Sequence, residues 1–267
     1  MKNIYQKHFL YKKIKNIVNE VLEERKCELI NEFIQNGFSF NELNNITNPT
    51  ERFEYCYDFL GQPIGDGSSR SVFEIDDAQV LKIANKKYFD AGCAQNKQEW
   101  DLVKSYNSPL LTKVLYHAND FSWIISERVL PSEEIDFYKI LGLPYRTYDT
   151  ERNVENKYDK EHKDLLNYND YKVDKINNND SGISYNQIRL VMRLMLKGKD
   201  VSKDFPKEYN IINNHPWFKE LYNLCENHSL DIDDLGLPNF GIVSRNGKPY
   251  IVILDSGLTE EIYNKFY

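Results

Sequence analysis

Between residues 9 and 34, apolar side chains fall at Leu10, Ile14, Ile17, Val18, Val21 and Leu22, and again at Leu29, Ile30, Phe33 and Ile34. Intervals of three and four residues keep them on one face of a helix, which the spacing predicts to end at Gly37. Ser39 to Glu42 has the Ser-x-x-Glu spacing of a capping box for a short second helix, and "NPTERFEYCYDFL" reads as a third helix start. Residues 1–58 are thus expected to form a helical preamble that packs against the rest.

From Leu60 the pattern shortens. "SRSVFEI" and "QVLKIA" are β-branched runs around the turn "DDA", a hairpin signal. "NKQEWDLVKSY" has a helical pattern, and "LLTKVLYHANDFSWIISERVL" reads as two strands around Asn119-Asp120. Residues 59–130 therefore predict a small sheet with one helix, ending near Pro131. Residues 144–182 are polar and Asn-rich, the texture of an exposed insertion. Helical spacing resumes in "SYNQIRLVMRLML" and "HPWFKELYNLCENH". Near the end, Asn246-Gly247 between two β runs is the strongest hairpin turn in the chain.

Composition narrows the class. At 267 residues, 41% hydrophobic and 28% charged, the chain has ample material for a core. No apolar run approaches the length of a membrane span, and the basic N-terminus lacks the apolar stretch of a secretory signal. Cys27, Cys56, Cys93 and Cys225 are scattered, without a C-x-x-C pair, which suggests reduced thiols and a cytoplasmic setting. The net charge of −7 argues against a general nucleic-acid binder.

One position conflicts with its surroundings. Lys82 sits inside "VLKIA", where an unpaired ammonium is costly to bury. Gly65 and Gly67 precede it, and glycines let backbone amides approach phosphate oxygens closely. Val72 would cover a flat base, Lys82 would reach phosphates, and Glu99 on the next helix is the natural counter-charge. Near the C-terminus, Asp234, Asn239 and Asp255 make an oxygen-rich set suited to Mg²⁺. Taken singly, each of these is also an ordinary turn or surface pair.

Taken in order, the parts resemble the protein-kinase signature set. Gly65-x-Gly67-x-x-Arg70-x-Val72 resembles the glycine-rich loop, Val80-Leu81-Lys82 the strand lysine, and Glu99 the helix glutamate. "SERVL" from Ser126 resembles the inter-lobe hinge, Ile232 to Asn239 the catalytic loop, and Asp255-Ser256-Gly257 the D-F-G turn. The phrasing is especially similar to small kinase-like proteins of bacteria and their phages. The resemblance implies an α+β, bilobal protein-kinase-like fold with an N-terminal helical extension and an abbreviated C-lobe over 131–267. It implies ATP and Mg²⁺ as cofactors. Asp234, Lys82 and Glu99 are then catalytic, and Asn239 and Asp255 hold the metal. Gly65, Gly67, Ser68, Arg70, Val72, Lys82 and Glu127 face the nucleotide.

The pattern also departs from the family. Arg70 stands at the third loop glycine, where it would salt-bridge a phosphate or an acidic helix residue, or weaken close approach of the loop. Ile232 and Asp233 replace the catalytic-loop His and Arg, Gly236 leaves no basic residue two beyond Asp234, and Ser256 replaces the D-F-G Phe. Ten residues follow Gly257, too few within this sequence for an activation segment. The expected function is an ATP/Mg²⁺-dependent phosphotransferase acting on a protein or small-molecule hydroxyl. A nucleotide-binding pseudokinase serving as an interaction module, or an adenylyl transferase, are the alternatives.

Overall fold

The computed structural model describes residues 37–144 and 184–267. The helix expected over 9–34 and the polar stretch 144–182, Pro144 apart, lie outside the described residues. Within them, eight helices and two antiparallel sheets form an α+β structure.

Helix α1 (Phe40–Asn45) begins at Ser39, whose Oγ accepts from Glu42 N at 3.4 Å. The reciprocal half of the expected capping box is not made. Ser39 N instead donates to Tyr55 Oη at 2.8 Å, and that hydroxyl donates to Glu42 Oε2 at 2.9 Å. Tyr55 belongs to α2 (Pro49–Leu60), so the cap also fastens the two helices together. Asn48 caps α2 by accepting from Thr50 N at 2.9 Å, with Pro49 at the first helical position.

The larger sheet has the order β1-β2-β3-β5-β4: β1 (Gly65–Asp66), β2 (Arg70–Glu74), β3 (Gln79–Ala84), β4 (Val114–His117) and β5 (Trp123–Glu127). Asp76 Oδ1 accepts from Ala78 N and Gln79 N at 2.6 and 2.7 Å, closing the β2–β3 turn. Register pairs Leu81 with Ile125 and Ile83 with Trp123, which puts all four on one face. There they join Phe38, Phe40, Leu43 and Cys56 in a single buried cluster, so α1 and α2 share the core of the sheet. Lys82, with register partners Val72 and Ile124, points to the other face. That face is covered by α3 (Phe89–Ser105).

A second core lies beyond β6 (Leu130–Pro131), which pairs with β7 (Phe240–Arg245), itself paired with β8 (Lys248–Ile253). Asn246 and Gly247 both have positive φ (54° and 73°), the backbone of a two-residue hairpin turn. Helices α4 (Glu134–Leu141), α5 (Tyr185–Leu196), α6 (Pro206–Asn214) and α7 (Pro216–His228) complete this core. Phe137, Tyr185, Trp217, Phe218 and Phe240 interlock in it, with the Phe137 and Tyr185 ring centroids 5.2 Å apart. The chain then returns to the first core through α8 (Glu260–Phe266), which packs on α3. No helix among the described residues is long and apolar enough to cross a membrane.

Gly92 allows α3 to sit this close to the sheet. A Cβ there would lie 2.5 Å from Ser69 O and 2.7 Å from Ala84 Cβ. In an exposed helix Gly→Ala stabilises by about 1 kcal/mol; here the clash with backbone outweighs that gain. Gly92→Ala is expected to lower unfolding stability by about 1–3 kcal/mol in urea denaturation. A stabilised variant would contradict this packing.

Candidate functional site

Strand alternation answers the conflict at Lys82. Leu81 and Ile83 enter the core, while Val80 and Lys82 face a cleft of about 500 Å³ between the two cores. Lys82 Nζ donates to both oxygens of Glu99 at 3.1 and 2.9 Å, and to Leu254 O at 2.7 Å. Arg70 shares the same carboxylate: its Nη1 lies 2.8 Å from Glu99 Oε1, and its Nη2 pairs with Asp255 Oδ1. Lys82, Arg70 and Glu99 are all buried. A buried ion is tolerated when partners and hydrogen bonds replace its water, and each of these three has at least two.

The loop above is held from within. Ser71 Oγ bonds Asp66 Oδ1 at 2.7 Å and Asn85 Oδ1 at 2.6 Å, and Asn85 Nδ2 donates to Gly67 O at 2.9 Å. Gly65 and Gly67 both line the cleft, yet neither has positive φ. A Cβ on Gly65 would meet only Val72 side-chain atoms at 3.7 Å, and one on Gly67 only Arg70 O at 3.4 Å. The fold itself does not require these two glycines. What their missing side chains leave open is the roof of the cleft.

The opposite wall comes from the second core. Asn239 Nδ2 donates to the main-chain oxygen of Asp234, which leaves its Oδ1 as an uncommitted acceptor beside the cleft. Asp233 pairs with Arg193 of α5, Arg189 Nη1 donates to Asp233 O at 3.2 Å, and Tyr185 Oη donates to Leu235 O at 2.7 Å. Ile232 is buried in the core. These anchors seat the loop carrying Asp234. Asp255 follows β8, and Gly257 N donates to its Oδ1 at 3.1 Å. A Cβ on Gly257 would lie 2.6 Å from Gln95 O, so this glycine lets the turn press against α3.

Electrostatics divide the two acidic groups. Burial pushes the Asp255 carboxyl upward, but Arg70, then Lys82, the hydrogen bond from Arg70 and that from Gly257 N outweigh it and hold it well below the usual carboxylate range. Asp234 goes the other way. Burial first, then the nearby charges of Asp255 and Asp231, raise it to about 6 against the opposing pull of Arg70 and Arg189. The Arg70 guanidinium loses hydration on burial, and Asp255 and Glu99 more than compensate, so it is firmly cationic.

Gly65, Gly67, Ser68, Arg70, Val72, Lys82, Glu127, Asp234, Asn239 and Asp255 all line this one cleft, and Glu99 stands directly behind Lys82. Of the three outcomes open for Arg70, the structure shows the pairing with acidic side chains. The Glu127 carboxylate is taken up by Arg245 and by Lys113 N (2.8 Å), so its charge is already matched. Ile64, Val80, Val129 and Leu254 add apolar walls. Gln95 and Tyr267 were not anticipated. Gln95 accepts from Ser69 Oγ at 2.9 Å and donates to Tyr267 Oη at 3.2 Å, which in turn lies 3.4 Å from Ser68 Oγ. No local motif marks them, because the contact spans 199 residues.

Glu99 serves two cations, so its loss is expected to cost more than loss of Lys82, whose one carboxylate partner it is. Glu99→Gln should destabilise by about 3 kcal/mol or more, since it leaves Lys82 with no carboxylate partner and Arg70 with Asp255 alone. Lys82→Met, which leaves Arg70 on Glu99, should cost clearly less in the same urea titration. Equal losses would contradict the shared carboxylate.

Comparison of the chain with protein-family models, curated proteins and solved structures finds no match, so the cleft is read from its own residues.

Proposed function

We propose that this chain is an ATP- and Mg²⁺-dependent phosphotransferase of protein-kinase-like, two-lobed fold, acting on a hydroxyl of a protein or small molecule. The sheet with α3 would form the smaller lobe, and residues 131–267 the larger, abbreviated one. A single observation carries the reading. Lys82, Asp234, Asn239 and Asp255, drawn from both cores, line one cleft roofed by two glycines that the fold does not need.

The assigned roles follow from the chemistry of the lining. Ile64, Val72, Val80 and Leu254 suit a flat base, and the amides around Gly65 and Gly67 together with Lys82 suit phosphate oxygens. Glu99 holds the Lys82 ammonium in place through both carboxylate oxygens. Asp234 is the proton acceptor for the incoming hydroxyl: a carboxyl near 6 is ionised at neutral pH yet basic enough to take a proton. The oxygen donors fit Mg²⁺. Asp255 stays anionic with Oδ2 left over, and Asn239 offers Oδ1. Mg²⁺ keeps several waters and takes ligands from one or two carboxylates plus substrate phosphates, a demand that this pair can meet. When bound there, the ion supplies neutralisation of phosphate charge. A second reading, a nucleotide-binding module without turnover, is favoured by Arg70 already occupying Asp255 Oδ1.

The test is label transfer from γ-phosphate-labelled ATP to hydroxyl acceptors, beside a thermal-shift titration. Saturation at 100 times Kd should stabilise the protein by about 2.7 kcal/mol. Asp234→Asn should lower turnover at least ~100-fold while leaving that stabilisation in place. Because the ionised carboxylate is the active form, turnover should rise with pH through about 6 and level off above it. At pH 5 the rate should be about a tenth of the plateau. Stabilisation without transfer would select the binding module, and absence of both would contradict nucleotide recognition.

A further inference from the structure

Arg70 is the least expected residue of the cleft, and its contacts exceed what a loop residue needs. It stands on β2 opposite Ala84 and is 4% exposed. Nη1 meets Glu99 Oε1 at 2.8 Å and Asn96 Oδ1 at 3.2 Å, while Nη2 meets Asp255 Oδ1. One guanidinium thus joins the glycine loop, α3 and the turn after β8 while lining the cleft. Three of its N–H groups are spent on these partners, out of about five that a guanidinium carries.

We infer that Arg70 is a resident counter-ion of Asp255 that lets the cleft accept a nucleoside triphosphate without first loading a divalent cation. This rests on the nucleotide-binding reading above, though not on turnover. At neutral pH the cleft holds Lys82 and Arg70 against Glu99, Asp255, Asp234 and Asp66, with Glu127 matched by Arg245. The balance is two negative charges; without Arg70 it would be three. A polyphosphate entering the second arrangement meets an uncompensated Asp255 and needs a metal ion as its escort. Entering the first, it finds that carboxylate already neutralised, with guanidinium donors to spare. One unit charge a few ångströms away, at the effective dielectric of a protein surface, is worth about a hundredfold or more in affinity.

A purely structural staple between β2 and α3 would change stability but not the metal dependence of binding. That distinction defines the experiment: calorimetric titration of ATP, in Mg²⁺ and in EDTA, into wild type, Arg70→Gln, Arg70→Gly and Arg70→Lys. In wild type, EDTA is expected to weaken ATP by about tenfold or less. In Arg70→Gln and Arg70→Gly the loss in EDTA should reach about a hundredfold, with Arg70→Lys restoring most of the wild-type tolerance. Equal Mg²⁺ dependence in wild type and in either neutral variant, with both binding ATP–Mg²⁺, would overturn the inference and leave the nucleotide reading standing. ATP failing to bind wild type in either buffer would overturn both. If no variant folds, wild type alone decides: a loss in EDTA beyond about a hundredfold rules the counter-ion out.

Discussion

Two cations and two carboxylates meeting where sheet, helix and terminal turn converge are what the rest of the cleft depends on. Lys82, Arg70, Glu99 and Asp255 come from four separate elements, and each of the first three has lost most of its water. Such charges repay their desolvation only if their partners stand at hydrogen-bond distance. That requirement reaches outward into the packing. Gly92 brings α3 down on β2 and β3, and Gly257 brings the Asp255 turn against Gln95 on the same helix. Thr112 Oγ1 donates to Ile253 O and Leu110 O accepts from Ile253 N, holding the end of β8. The ion network is thereby a register mark for three-dimensional assembly as much as a chemical device.

The glycines that line the cleft differ in kind from those in the packing around it. Gly92, Gly241 and Gly257 have neighbours within 3 Å of where a Cβ would stand, and Gly247 needs its positive φ. Gly65 and Gly67 have neither constraint, and both border open space. A backbone left bare over a cleft that also holds a buried lysine is the arrangement that close approach of phosphate oxygens calls for. The loop bearing Asp234 is built differently. It is bolted to α5 through Asp233–Arg193 and sunk into the core by Ile232, so its position follows from the second core. In the kinase-like reading, these are the two residues that replace His and Arg. Their contacts here are internal, which fits a loop held permanently in one pose.

Much of this was legible from local pattern. The β-branched runs "SRSVFEI" and "QVLKIA" predicted a hairpin, and β2 and β3 pair antiparallel. Asn246-Gly247, Asn48-Pro49 and the "DDA" turn each carry their chemistry within a few residues, and each forms as expected. What stayed hidden depends on contacts remote in sequence. The capping box at Ser39 reads correctly on its own, but Tyr55 takes over half of it. Arg70 had three outcomes open from sequence; it takes the pairing with an acidic helix residue, Glu99, and adds Asp255, 185 positions on, which no local pattern marks. The short helices α4, α6 and α8 run for 8, 9 and 7 residues, too few for a sustained apolar period to show. Tyr267 reaches the glycine loop by the same kind of remote contact.

The central claim is that the cleft is shaped around the phosphates of a nucleotide. The most direct measurement is a crystal structure of the protein with a non-hydrolysable ATP analogue and Mg²⁺. The account predicts phosphate oxygens within hydrogen-bond distance of Lys82 Nζ and of the amides at Gly65–Ser68, with the metal against Asn239 and Asp255. An analogue bound elsewhere, or phosphates directed away from Lys82 and the bare loop, would contradict it.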